Sequence, residues 1–141
     1  MNEFTAPAVL IVDDDPIIRS FLQSILQREY VVLLAEDGVR ALEIVGAFSG
    51  QIRLLVSDLC MPRMGGLESS RRIVAERPEI RILLMSGGAP GDWPAEDRRY
   101  AFVAKPFTSS VVRSAIDRLL SEAHVPLRSP SGACVSTASR G

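Results

Sequence analysis

Val9-Leu10-Ile11-Val12 is followed at once by Asp13-Asp14-Asp15. Four consecutive apolar residues suit a strand buried on both faces, and such strands belong to parallel sheets covered by helices on each side. From Ile17 the period changes. Ile17, Ile18, Phe21, Leu22, Ile25 and Leu26 recur at helical spacing, with Arg19, Ser20, Gln23 and Ser24 between them. Pro16 fits the first turn of that helix, where its missing N–H costs nothing. The alternation continues. Residues 30–34, 52–57, 80–85 and 100–104 read as further strands. Residues 39–48, capped by Asp37, and 66–77, stopped before Pro78, read as helices. A last helix capped by Thr108 carries Val111, Val112, Ala115, Ile116, Leu119 and Leu120 on its apolar face. Strands alternating with amphipathic helices predict right-handed βαβ units and a five-stranded, doubly wound α/β sheet.

The 141 residues suit one domain, expected over 8–121, with an N-terminal tail at 1–7 and a mobile C-terminal tail at 122–141. Sixteen basic against 17 acidic side chains exclude binding of nucleic acid or membrane through bulk positive charge. Cys60 and Cys134 form no CxxC, and His124 is the single histidine, so disulfide scaffolds and multi-histidine metal sites are excluded. No apolar run approaches the ~18 residues that span a bilayer, and the N-terminus does not resemble a signal peptide. The expected location is the cytoplasm.

Polar residues gather where the strands end. Asp13, Asp14 and Asp15 follow the first, Asp58 the third, Ser86 the fourth and Lys105 the fifth. Sites in open α/β sheets lie beyond the carboxyl ends of the strands. Taken singly, each residue has a plainer reading: Asp58 as a turn or cap, Ser86 before two glycines as a turn start, Lys105 as a surface lysine, Phe102 as core. Taken together they bring carboxylates, a hydroxyl and an ammonium to one rim. Clustered carboxylates repel unless a cation joins them, and an all-oxygen donor set suits Mg²⁺. A carboxylate beside Mg²⁺ and a lysine can act as a nucleophile toward phosphorus, where positioning and charge neutralisation matter most.

The chain resembles the receiver domain of two-component response regulators. The resemblance runs from about Ala8 to Ser121. It rests on residues 9–16 (VLIVDDDP), 56–66 (VSDLCMPRMGG), 83–87 (LLMSG) and 102–107 (FVAKPF), in that order. It implies the 2-1-3-4-5 strand order. It implies Asp58 as the acceptor of a phosphoryl group from a kinase phosphohistidine. Asp13 and Asp14 match the acidic pair that holds Mg²⁺, Asp14 as the more direct ligand, and Cys60 stands where a backbone carbonyl completes the set. Lys105 matches the lysine that pairs with the phosphoryl group, and Lys105–Pro106 is a candidate cis bond. Ser86 matches the hydroxyl that moves toward the phosphate, and Phe102 the aromatic that changes rotamer with it.

The implied partners are a sensor histidine kinase or histidine phosphotransfer protein and a downstream protein target, with a weak homodimer as a candidate and no direct contact with DNA or membrane. Such a domain signals rather than acting as an enzyme on other molecules. The step from Ser86 to Lys105 is shorter than the family's usual one. The segment 87–94 is rich in glycine and proline, so the fourth helix is expected to be short or irregular. Trp93 is expected either packed on the sheet edge or on a face that rearranges on phosphorylation.

Other readings are a receiver that docks without phosphorylation and a small aspartyl phosphatase of the haloacid dehalogenase type, which leaves Asp58 without a role. A flavodoxin is disfavoured because three aspartates at the first loop would repel a phosphate.

Overall fold

The first apolar run does form a strand, β1 (Ala8–Val12), and all five of its residues are buried. This computed structural model of the chain describes residues 6–88, 91 and 93–121; of the expected tails 1–7 and 122–141, residues 1–5 and 122–141 lie outside the described residues. After β1 come α1 (Pro16–Leu26), β2 (Val31–Ala35), α2 (Gly38–Ala47), β3 (Ile52–Asp58), α3 (Gly66–Glu76), β4 (Arg81–Ser86), β5 (Tyr100–Ala104) and α4 (Ser109–Ser121).

Pro16, Asp37 and Thr108 stand at helix starts as expected, and Asp15 adds a cap of its own. Asp15 accepts the Ile17 N–H at 2.9 Å, with Pro16 in the first turn of α1. Asp37 accepts the Arg40 N–H at 2.9 Å at the start of α2. Thr108 Oγ1 accepts the Val111 N–H at 3.2 Å. The far end of α2 is closed from a distance. Arg77, just past α3, donates to the carbonyls of Phe48 at 2.6 Å, Gly50 at 2.8 Å and Val45 at 3.1 Å, giving partners to carbonyls the helix leaves open.

The strands are parallel, in the order β2-β1-β3-β4-β5. Alternate residues serve two cores. Val9, Ile11, Val56, Leu83 and Met85 pack against Leu22 and Leu26 of α1 and Ile116 and Leu119 of α4. Leu10, Leu55, Ile82 and Leu84 lie on the other face with Ala41 and Val45 of α2 and Ile73 of α3. Each fully buried aliphatic side chain of this kind stabilises the fold by about 1.5–3 kcal/mol. The register pairs Val12 with Ser57, Asp58 with Met85, and Ser86 with Ala104. The polar residues at the strand ends therefore meet at one edge.

Several element limits move by a residue or two from the sequence reading. β2 begins at Val31, one residue after Tyr30, because the ladder with Ala8 starts there. β4 begins at Arg81, one residue after Ile80, whose N–H closes a turn on the Arg77 carbonyl at 3.1 Å. Asp58 is the last ladder residue of β3, not the first residue after it. Between β4 and β5 the described residues form turns in place of a helix, so the expected irregularity of a fourth helix goes to completion there. Gly91 has φ +64° and Pro94 cannot donate to a helical ladder. Ala89, Pro90 and Asp92 lie outside the described residues.

Candidate functional site

The ends of four strands, β1, β3, β4 and β5, build the site together with the loop after β3. The chain leaves β1 at Asp13, whose N–H bonds to the Ala35 carbonyl at 3.2 Å and whose side chain is fully buried. Its Oδ1 accepts the Asp15 N–H at 2.9 Å. The Arg19 guanidinium, one turn into α1, donates to the Asp13 carbonyl at 2.6 Å. Asp14 is exposed beside it. Asp58 closes β3 and is nearly buried. One carboxylate oxygen from each of Asp13, Asp14 and Asp58 lies within 4.8 Å of the others. Three convergent carboxylates fit a hard divalent cation with an all-oxygen donor set.

Lys105 completes the cluster. The backbone ties it to the next strand through Lys105 N–H to the Ser86 carbonyl at 2.8 Å, and the following Lys105–Pro106 peptide is cis, as the resemblance implied. Its ammonium donates to Asp13 Oδ2 at 2.9 Å and stands 3.5 Å from Asp58 Oδ2.

The electrostatics follow from burial and these distances. Desolvation lifts the Asp58 carboxyl above its ordinary pKa and Asp13 adds to the rise, while Lys105 and the Cys60 amide oppose it. Burial works against the Lys105 ammonium, yet the bond and charge of Asp13, with Asp58 behind them, hold its pKa above the usual lysine value.

The other expected residues are near but otherwise engaged. Ser86 is buried at the end of β4, and its hydroxyl accepts the Gly88 N–H at 3.2 Å, a local turn contact. Phe102 is half-buried and stacks on Trp93, ring centroids 5.8 Å apart and 27° between planes. Cys60 is exposed in the loop after Asp58.

That loop is shaped by two glycines. A Cβ on Gly66 would stand 2.1 Å from the Asp58 carbonyl oxygen, and one on Gly65 would stand 2.9 Å from that of Leu59. Such approaches admit hydrogen alone. The loop also holds a residue the sequence reading passed over. Arg63 has φ 71° and forks onto Asp37 of the α2 cap, Nε to Oδ2 at 2.7 Å and Nη2 to Oδ1 at 3.0 Å. The Arg63 hydrogen bond, then the Arg40 amide, hold the Asp37 carboxyl below its ordinary range. The sequence signals Asp37 as a cap, but carries no local mark of a partner 26 residues away.

A family model described as the response regulator receiver domain matches residues 9–117. The chain is 30% identical over 120 residues to the sensor kinase CckA of Brucella abortus (strain 2308), covering 82% of this chain and 13% of that protein. It is 31% identical over 123 residues to the two-component response regulator ORR3 of Oryza sativa subsp. indica, covering 81% of this chain and 91% of that one. The crystal structure of a response regulator receiver protein from Sinorhizobium medicae WSM419 superposes with a TM-score of 0.75 at 25% identity, over 84% of this chain and 97% of that chain. The chain thus spans a small part of the sensor kinase and nearly all of the rice regulator.

Proposed function

The chain belongs to the response regulator receiver family, and on that premise we propose that it accepts a phosphoryl group on Asp58 from a phosphohistidine of a sensor kinase or phosphotransfer protein. Members of this family are phosphoacceptors in two-component signalling, pair with histidine kinases or phosphotransfer proteins, and bind Mg²⁺ at an acidic cluster. The observation that carries the assignment to these residues is the convergence of Asp13, Asp14 and Asp58 within 4.8 Å, with the Lys105 ammonium against two of them.

In this reading Asp13, Asp14, Asp58 and the Cys60 carbonyl hold Mg²⁺. When bound, the ion supplies positive charge beside the phosphoryl oxygens. A carboxylate oxygen of Asp58 forms the new P–O bond as the P–N bond of the phosphohistidine breaks, and the bonding pair leaves with the imidazole nitrogen. Lys105 turns from Asp13 toward the phosphoryl oxygens, a short move from 3.5 Å. The Ser86 hydroxyl gives up its Gly88 contact to donate to the phosphoryl group, and Phe102 follows, changing the surface offered to a downstream protein. The receiver unit is residues 8–121, and the site of action is the cytoplasm.

The test is intact-mass measurement after treatment with a small phosphodonor and Mg²⁺. The wild-type chain gains one phosphoryl group that hydroxylamine removes, and Asp58→Asn gains none. Acceptance by Asp58→Asn at the wild-type rate overturns the assignment. A folded wild-type chain that accepts nothing supports a receiver that docks without phosphorylation.

A further inference from the structure

We infer that Arg63 is a positioning residue for the metal and phosphoryl site, holding the loop after Asp58 by its fork onto Asp37; the inference rests on the function proposed above. Two independent features fasten this loop to the start of α2. The first is the bidentate pair itself, at 2.7 and 3.0 Å, a geometry that fixes orientation as well as charge. The second lies one residue along in each segment. A Cβ on Gly38 would stand 2.7 Å from the Met64 carbonyl oxygen and 2.9 Å from Met64 Cβ, so the two backbones touch directly.

Arg63 also sits at φ 71°, a left-handed conformation that a non-glycine residue keeps when its surroundings fix it. The root of the loop is pinned separately, by Leu59 N–H to the Met85 carbonyl at 2.8 Å and Gly66 N–H to the Leu59 carbonyl at 2.9 Å. Between root and fork lies Cys60, whose amide favours the charged Asp58 carboxylate and whose carbonyl belongs to the proposed donor set. The root holds one side of Cys60 and the fork holds the far side of the loop that carries it.

The pair is a poor candidate for a merely stabilising contact. The Arg63 side chain is 55% exposed although Asp37 is only 7% exposed, so water screens the pair from one side and its share of global stability is modest. Its effect should be local, and the sign separates positioning from simple charge. If Arg63 acted as a charge near the acidic cluster, removing it would tighten Mg²⁺ binding and neutralising Asp37 would weaken it. If the fork positions the loop, both changes weaken binding and the double variant is no worse than either single one.

The variants are Arg63→Gly, which suits the left-handed backbone, and Asp37→Asn, which keeps a good helix cap. Mg²⁺ affinity of the full chain is measured by titration calorimetry, and amide exchange over residues 59–65 is measured without metal. Each single variant should bind Mg²⁺ roughly three- to tenfold more weakly, at or below the low end of the ~10–100-fold that direct outer-shell partners of metal ligands contribute. Exchange in the loop should quicken by more than the accompanying fall in the urea midpoint accounts for. Binding as tight as wild type in Arg63→Gly, opposite signs in the two single variants, or additive losses overturns the positioning role. A folded wild-type chain that binds no Mg²⁺ defeats the reading of the site itself, and the inference with it.

Discussion

The Lys105 ammonium is paired first with Asp13, at 2.9 Å, and stands farther from Asp58, at 3.5 Å. The lysine is thus held by the fully buried acid, within a short swing of the acid that ends β3. Its charge opposes that of an incoming divalent cation while it offsets part of the repulsion between the carboxylates.

Lys105→Ala should therefore leave Mg²⁺ affinity unchanged or raise it, by up to about tenfold, since an ammonium beside the site repels the ion. The same variant should accept a phosphoryl group yet fail to hold the switched state. Calorimetric titration with Mg²⁺ checks the first half, and a large loss of affinity contradicts it.

Asp58→Asn should make the metal-free protein more stable at neutral pH. Burial, then Asp13, raises the folded-state pKa of Asp58 above its unfolded value. Below the unfolded value, about 3.9, both states hold the proton and the carboxylate costs nothing. The cost enters as pH rises through the folded-state value and is complete above it. Urea unfolding at several pH values should show the variant ahead of wild type at pH ~7, with the gap closing toward pH ~4. A gap that widens on acidification reverses the sign and defeats the account.

Gly66→Ala should destabilise by about 1–3 kcal/mol or more, because its Cβ would meet the Asp58 carbonyl oxygen at 2.1 Å, and backbone yields poorly. Gly46→Ala is the matched control. Nothing lies within 4 Å of a Cβ there, and alanine in α2 should gain up to about 1 kcal/mol. Chemical denaturation of both variants decides it, and equal effects would mean that the crowding at Gly66 is relieved by the loop.

Trp93 emission should respond to the state of Asp58. Trp93 is the single tryptophan and stacks on Phe102 at 5.8 Å, so a rotamer change of Phe102 removes one wall of its environment. Treatment with a phosphodonor and Mg²⁺ should shift or quench the emission in wild type and leave it unchanged in Asp58→Asn. Identical spectra before and after phosphorylation of the wild type would exclude movement at this stack.

The sheet, its two cores and the acidic rim were legible because each depends on short-range pattern. The run Val9–Val12 with acids behind it can be buried only as an inner strand, and parallel strands of similar length bring Asp13, Asp58, Ser86 and Lys105 to one edge. Asp37 and Thr108 mark helix starts through contacts three residues away, and Pro16 through its fixed φ. The pairing of side chains across that edge was not legible. Whether Lys105 meets Asp13 or Asp58 first is a matter of tenths of an ångström. The fork of Arg63 on Asp37, the closure of α2 by Arg77 and the stack of Trp93 on Phe102 join residues far apart in the chain. No local period encodes such contacts, because they exist only once the helices have packed and brought their ends together; the sequence alone sets which groups reach the rim, and the packing sets which of them touch.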